Sequence, residues 1–124
     1  MKKTFCFLLI CTMLLALLSC QRPTQDASLS GYLINIYPRS EYELTEENVE
    51  TLEAVLNDAM WREGRTKLAC HYQFCWSDRV IQYNSKYGVV HDLMTYRFCE
   101  LTEEDKNAIN EIIQAHGLNI NVPY

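Results

Sequence analysis

The chain has 124 residues, 48% of them hydrophobic and 22% charged, which is enough for one modest hydrophobic core and not for two domains. The formal net charge is -5 at pH 7, and an acidic chain of this kind is a poor partner for nucleic acid. The fate of the six cysteines depends on the compartment, because a disulfide is the default state of a thiol pair outside the cytoplasm.

The N-terminal part has a basic start, an apolar run and a short closing motif. Lys2 and Lys3 precede the run, which spans residues 5–18 and is shorter than the roughly 20 residues that a membrane-spanning helix needs. The run closes with the sequence Leu17-Leu18-Ser19-Cys20. This pattern resembles the signal of bacterial lipoproteins with its lipobox. The resemblance implies that residues 1–19 are a signal peptide that is removed. It also implies that Cys20 receives a diacylglycerol and further acylation, with palmitate as the expected fatty acid.

The same resemblance implies where the mature protein lies. Each buried acyl methylene contributes about 0.8 kcal/mol, so two or three chains hold a protein stably on a membrane. The domain is expected on the extracytoplasmic side of the cell membrane or of the outer membrane. Gram-negative lipoproteins retained at the inner membrane usually have Asp after the cysteine, so Gln21 favours the outer membrane. Residues 20–31 contain almost no large apolar side chain, and we interpret them as the lipidated cysteine and a flexible tether.

Residues 32–124 predict one small domain with several strands. Residues 32–37 are rich in β-branched and aromatic side chains and precede a proline. Residues 67–76 alternate between aromatic or apolar and mainly polar side chains, and Ser77 with Asp78 predicts a tight turn into a partner strand, 79–84. After a further turn, a strand is expected over 89–99. A closing strand is expected over 118–122.

Two repeated sequences predict the helices. Those that begin at Glu43 and at Glu100 place Thr45 and Thr102 where a threonine caps a helix, with glutamates in the first turn. An apolar stripe follows each cap, so both helices are amphipathic. We expect them to end near two glycines: Gly64 and Gly117.

The strand register follows from the two-residue turn. It places Phe74 opposite Ile81 and Tyr72 opposite Tyr83, while Gln73 faces Gln82 on the other side. The predicted fold class is therefore α+β, with a mainly antiparallel sheet in the order β-α-β-β-β-α-β and two helices packed on one face. The side chains expected on the covered face are Tyr72, Phe74, Trp76, Ile81 and Tyr83.

Three cysteines remain after the signal is removed and Cys20 is acylated. Cys70 and Cys75 lie on one predicted strand, about 16 Å apart, which exceeds the approximately 7 Å limit between Cα atoms for a disulfide. We therefore predict a disulfide between Cys75 and Cys99, because their strands run in the same direction. Cys70 is expected to be a buried free thiol.

From the sequence we predict no catalytic residue, no metal site and no cofactor. Cys70, His71, Cys75, His91 and Cys99 have ligand atoms for zinc, but their spacing matches no compact zinc pattern. Asp92 beside His91 could orient a base, yet no glycine turn of the oxyanion type accompanies a cysteine.

Two function classes are consistent with this. The first is a non-catalytic binding or inhibitory domain that engages a protein of the cell envelope through an exposed sheet face or the acidic first helix. The alternative is a small envelope hydrolase or thiol redox protein that uses Cys70, Cys75 or Cys99.

Overall fold

A seven-stranded antiparallel sheet with two helices against it is formed by residues 31–122, the part of the chain that the computed structural model describes. The strands are β1 Gly31–Asn35, β2 Ser40–Leu44, β3 Arg62–Glu63, β4 Tyr72–Trp76, β5 Arg79–Asn84, β6 Val89–Asp92 and β7 Arg97–Glu100. The helices are α1 Glu46–Asn57 and α2 Glu103–Ala115. The order across the sheet is β2-β1-β4-β5-β6-β7-β3. The predicted α+β class and antiparallel sheet are confirmed.

Part of the sequence interpretation lies outside the described residues. The signal peptide 1–19, the lipidation site Cys20 and the tether up to residue 30 belong to that part. Gly31, which was assigned to the tether, is instead the first residue of β1. A Cβ atom at this position would lie 2.6 Å from the carbonyl oxygen of Cys75, so only glycine allows β1 to approach β4 this closely.

Alternation along β4 and β5 gives the sheet one covered face, here called the inner face, and an opposite outer face. The predicted register is confirmed, with Phe74 opposite Ile81 and Tyr72 opposite Tyr83. All five expected side chains are buried on the inner face: Tyr72, Phe74, Trp76, Ile81 and Tyr83. They form one core with buried residues of both helices, such as Leu52 and Ile109.

Both helices begin at the predicted caps. Thr45 Oγ1 accepts a hydrogen bond from the Asn48 backbone N–H at 3.1 Å, and the Asn48 side chain accepts one from the Thr45 N–H at the same distance. Thr102 Oγ1 accepts from the Asp105 N–H at 3.2 Å. Helix α1 ends at Asn57, several residues before the predicted end at Gly64, because Arg62 and Glu63 pair with β7 as the short strand β3.

Two strand predictions were wrong in detail, and one strand was missed. The predicted strand 67–76 is a strand only from Tyr72 onwards. The predicted strand 89–99 is split by a turn into β6 and β7, because the Asp92 carboxylate accepts hydrogen bonds from the Met94 and Thr95 N–H groups. Strand β2 was not predicted, although its residues alternate between acidic and apolar side chains.

The predicted closing strand over 118–122 is also absent. Leu118 and Ile120 pack against the core, but the backbone carbonyls of this segment bond to side chains rather than to a neighbouring strand. The Tyr72 hydroxyl donates to the Asn119 carbonyl, and the Ser85 hydroxyl donates to the Ile120 carbonyl at 2.6 Å.

The pairings also define two ends of the sheet. Gly31 pairs with Leu44 and Trp76, and Trp76 pairs with Arg79 at the turn from β4 to β5. Asp92 pairs with Ile81, which places the turn from β6 to β7 at the same end. We call this the Gly31 end, and we call the opposite end, with the turns 36–39 and 85–88, the far end.

Within residues 31–122, neither helix has the length and apolar character to cross a membrane.

Candidate functional site

The three cysteines of the domain are free thiols in this structure. Cys99 is buried on the inner face beside Val90, whereas Cys75 lies on the outer face opposite Val80. Their strands, β4 and β7, are three strand spacings apart, or about 14 Å, which is too far for a disulfide. The predicted bridge assumed that Cys99 ends a strand in the same direction as β4. The turn after Asp92 reverses β7, so the bridge is not formed.

The surroundings of the thiols do not favour nucleophilic chemistry. Burial raises the pKa of Cys70 to about 11, against a smaller lowering effect of Arg65. Burial also raises the pKa of Cys99 to about 11, with the Asp105 charge as a second cause. Such thiols are protonated at neutral pH, and the thiolate is the reactive form. Cys75 Sγ accepts a hydrogen bond from the Gln73 amide at 3.4 Å.

The candidate ligands for a metal do not come together. Across residues 31–122, no group of three or more His, Cys, Asp and Glu side chains is arranged to hold a metal ion. Cys75 lies on β4 and His91 on β6, and Cys99 is on the opposite face of the sheet from both.

His91 lies in a cleft of about 300 Å³ on the outer face, beneath residues 64–68. Its Nε2 atom is 2.8 Å from the hydroxyl oxygen of Thr66. That hydroxyl also accepts from the Leu68 N–H at 3.3 Å, so its own proton is available to the imidazole. Burial lowers the pKa of His91, and the Arg65 charge acts in the same direction. A neutral His91 therefore fastens residues 64–68 to the sheet.

Asp92 does not orient His91. Alternation along β6 places the two side chains on opposite faces of the sheet, and Asp92 holds the following turn instead. Its carboxylate also lies 3.6 Å from Arg79, whose guanidinium reaches Glu53 of α1 at 3.5 Å. The sequence neighbours His91 and Asp92 therefore have separate structural roles.

A second concave surface, here called the helix groove, lies between α1 and α2 and has a volume of about 280 Å³. Its floor contains the buried Ile112 and the half-buried Ala108. Its rim carries one exposed glutamate from each helix: Glu47 on α1 and Glu111 on α2. The groove combines an apolar floor with a negatively charged rim.

The surface around the helix groove is strongly acidic. The acidic residues of the two helices are Glu46, Glu47, Glu50, Glu53, Glu103, Glu104, Asp105 and Glu111, and their one basic residue is Lys106. Within residues 31–122, Glu53 pairs with Arg79 and Glu103 pairs with Lys106 at 3.7 Å. Neither Glu47 nor Glu111 has an ion pair in this part of the chain. The groove therefore offers two uncompensated charges.

Half of this site was indicated by the sequence. The acidic first helix was one of the two surfaces predicted to engage a protein partner, whereas Glu111 was not singled out. The available signal was the spacing of Ala108, Glu111, Ile112 and Ala115, which places them on one side of a helix. Comparison of the chain with protein-family models, with curated proteins and with solved structures found no match in any of the three.

Proposed function

We propose that this chain is a bacterial envelope lipoprotein whose domain binds a cationic segment of a protein partner and catalyses no reaction. In this proposal, acyl chains on Cys20 hold it at the cell membrane or the outer membrane, with the domain on the extracytoplasmic side. The observation that carries the binding role is the helix groove, where Glu47 and Glu111 flank an apolar floor without basic partners in the described residues.

The groove has the chemistry that a lysine or arginine side chain requires. Such a side chain places its methylene groups on apolar surface and keeps its charged head in water. Ala108 and Ile112 provide the apolar surface, and the carboxylates of Glu47 and Glu111 lie where the charged head would emerge. The alternative, a hydrolase or redox protein acting through a thiol, has less support because burial raises the pKa of Cys70 and of Cys99.

The free energy of an exposed ion pair indicates what kind of partner the groove needs. One exposed ion pair contributes only about 0.2–1 kcal/mol, so a single lysine would bind too weakly to matter. The further acids along both helices extend the negative surface, and a segment with several basic residues can use them together. Binding of this kind is expected to weaken as salt is added.

The test uses the full chain and a fluorescein-labelled oligolysine probe, with fluorescence anisotropy as the measurement. The double variant Glu47→Gln/Glu111→Gln is expected to bind about tenfold more weakly, since two exposed charges of about 0.7 kcal/mol each sum to the 1.4 kcal/mol of a tenfold change. The matched control is Glu63→Gln/Glu100→Gln, which removes two exposed acids on β3 and β7. An equal loss in both double variants, or binding that salt leaves unchanged, would contradict the proposal.

A further inference from the structure

The turn between β6 and β7, residues 93–96, exposes three large apolar side chains within four residues. Leu93 is 45% exposed, Met94 64% and Tyr96 61%. In the rest of the described chain the exposed large apolar residues are separated along the sequence: Tyr32, Tyr37, Met60, Leu68 and Tyr87. Leu68 lines the same outer-face cleft as Leu93 and Tyr96, which extends the apolar surface. We call residues 93–96 the apolar loop.

Three backbone N–H groups and one backbone carbonyl of the apolar loop are hydrogen-bonded within the protein. The Leu93 N–H donates to the Val80 carbonyl at 3.0 Å, and the Asp92 carboxylate accepts from the next two N–H groups at 2.9 and 3.2 Å. The Tyr96 carbonyl accepts from the Gly64 N–H at 3.1 Å. Each of these bonds lowers the desolvation cost of moving the apolar loop out of water.

The position of the apolar loop relates it to the chain outside the described residues. The loop joins β6 to β7 at the Gly31 end of the sheet, three to four strand spacings from Gly31, or about 14 to 19 Å. Ten residues, 21 to 30, lie between the lipobox cysteine Cys20 and Gly31. A flexible tether of this length would span about 17–20 Å on average, and at most about 36–40 Å when fully extended. A lipid on Cys20 would therefore hold this end of the domain close to the bilayer.

A short tether makes a weak contact effective. Linking two sites through a short flexible segment gives an effective concentration in the millimolar range, so the second contact needs little intrinsic affinity. The Gly31 end carries charges of both signs, which include Arg65, Arg79 and Arg97 with Glu43, Glu46, Glu63 and Asp78. We therefore attribute the contact to the apolar side chains and not to a basic surface.

We propose that the apolar loop inserts Leu93, Met94 and Tyr96 into the interfacial region of the membrane that carries the anchor, and so orients the domain on it. This inference rests on the lipid anchor of the proposed function. It is independent of the helix groove and of any partner bound there.

The test places the photoreactive residue benzoylphenylalanine at single positions of the full chain, reconstituted in vesicles of phosphatidylethanolamine and phosphatidylglycerol. The substitution Met94→benzoylphenylalanine probes the loop. Tyr37→benzoylphenylalanine is the matched control, because Tyr37 is 82% exposed and lies at the far end. After illumination, mass spectrometry measures lipid adducts at each position and the acylation of Cys20 in the same sample.

The expected result is a yield of lipid adducts several-fold higher at position 94 than at position 37, with acylated Cys20. Adding Leu93→Ser and Tyr96→Ser to the position-94 variant is expected to reduce that yield towards the control, at unchanged circular dichroism. Equal yields at the two positions with Cys20 acylated would overturn the membrane contact and leave the anchor standing. Protein adducts in place of lipid adducts at position 94 would also overturn it. Unmodified Cys20 would overturn the anchor and this inference together.

Discussion

The imidazole Nε2 of His116 lies 3.1 Å from the backbone carbonyl oxygen of Glu43, and this contact fastens the end of α2 to β2. The other ring nitrogen, Nδ1, lies 2.7 Å from the Ile112 carbonyl of the last helical turn. Tyr42 of β2 packs edge-on against the same ring, with 5.9 Å between centroids. The His116 ring thus contacts both the last turn of α2 and the outermost strand.

We expect His116→Ala to lower the free energy of unfolding by about 1 kcal/mol, because a hydrogen bond at a partly exposed site contributes roughly 0.5–1.5 kcal/mol. Urea denaturation of the full chain measures this. The control is Gln114→Ala, an exposed residue of the same turn, which is expected to change little. A His116→Ala variant as stable as the control would show that the contact contributes nothing.

The largest effect on stability is expected from a substitution in the core on the inner face. Phe74 is fully buried and packs against Tyr83 at 6.4 Å between ring centroids. Phe74→Ala is expected to cost about 3 to 5 kcal/mol, against a total of about 5 to 15 kcal/mol for a small domain. Gln73→Ala, one residue away on the outer face, is the matched control. Equal melting temperatures for the two variants would contradict the assignment of the core.

The lowered pKa of His91 predicts that the stability of the fold depends on pH. Because the folded state lowers the pKa of His91 below its ordinary 6.5, the unfolded chain takes up this proton first as the pH falls. The stability linked to His91 is therefore complete above about pH 6.5 and is lost progressively below it, through the lower pKa of the folded state.

The measurement for His91 compares the unfolding free energies of the wild type and of His91→Gln between pH 8 and 5. The wild type is expected to lose more stability on acidification than the variant, in which this proton is absent. Because the two proteins differ only at position 91, the difference between their pH profiles isolates His91. Parallel pH profiles for the two proteins would refute the effect.

The thiols are expected to be slow to alkylate while the chain is folded. A pKa of about 11 instead of 9.0 reduces the thiolate fraction of Cys70 and Cys99 about 100-fold at pH 8. Iodoacetamide labelling followed by peptide mapping without reductant should find these two residues unpaired and protected, and labelled rapidly in urea. Rapid labelling of folded Cys70 would restore the case for thiol chemistry, and a Cys75 to Cys99 peptide would contradict the arrangement of β7.

The proposed lipid anchor predicts a simple processing result. Wild-type chain expressed in a bacterium is expected to incorporate labelled palmitate, and Cys20→Ala is expected to lose the label and to retain its signal sequence. Substitution of Cys11 by Ala is the control, because that cysteine lies within the apolar run. A wild-type protein without label would remove the anchor from the proposed function.

The features that local rules determine could be predicted from the sequence. The register of β4 and β5 followed from alternation and a two-residue turn, and the helix starts followed from Thr45 and Thr102. The break after Asp92 could not be predicted in this way. It depends on one carboxylate that bonds two backbone N–H groups, and residues 93–96 are as apolar as those of a strand.

The candidate site was less predictable than the fold, because it depends on which faces of two helices meet. The acids of α1 are visible in the sequence, but only the packed helices show that Glu111 lies across from Glu47. The structure of residues 118–122 could not be predicted for a similar reason, because it depends on tertiary contacts. Leu118 and Ile120 alternate as a strand does, yet tertiary bonds from Tyr72 and Ser85 occupy carbonyls of this segment.

The outer strands of the sheet have a consequence for contacts between copies of the protein. An unpaired strand edge is a template for pairing and aggregation with neighbouring copies. Within residues 31–122 the sheet ends in β3, which has only two residues, and in β2, which carries Glu41 and Glu43. His116 additionally occupies the Glu43 carbonyl. One edge is thus too short and the other too charged and obstructed to recruit another copy, so the fold itself opposes polymerisation edge to edge.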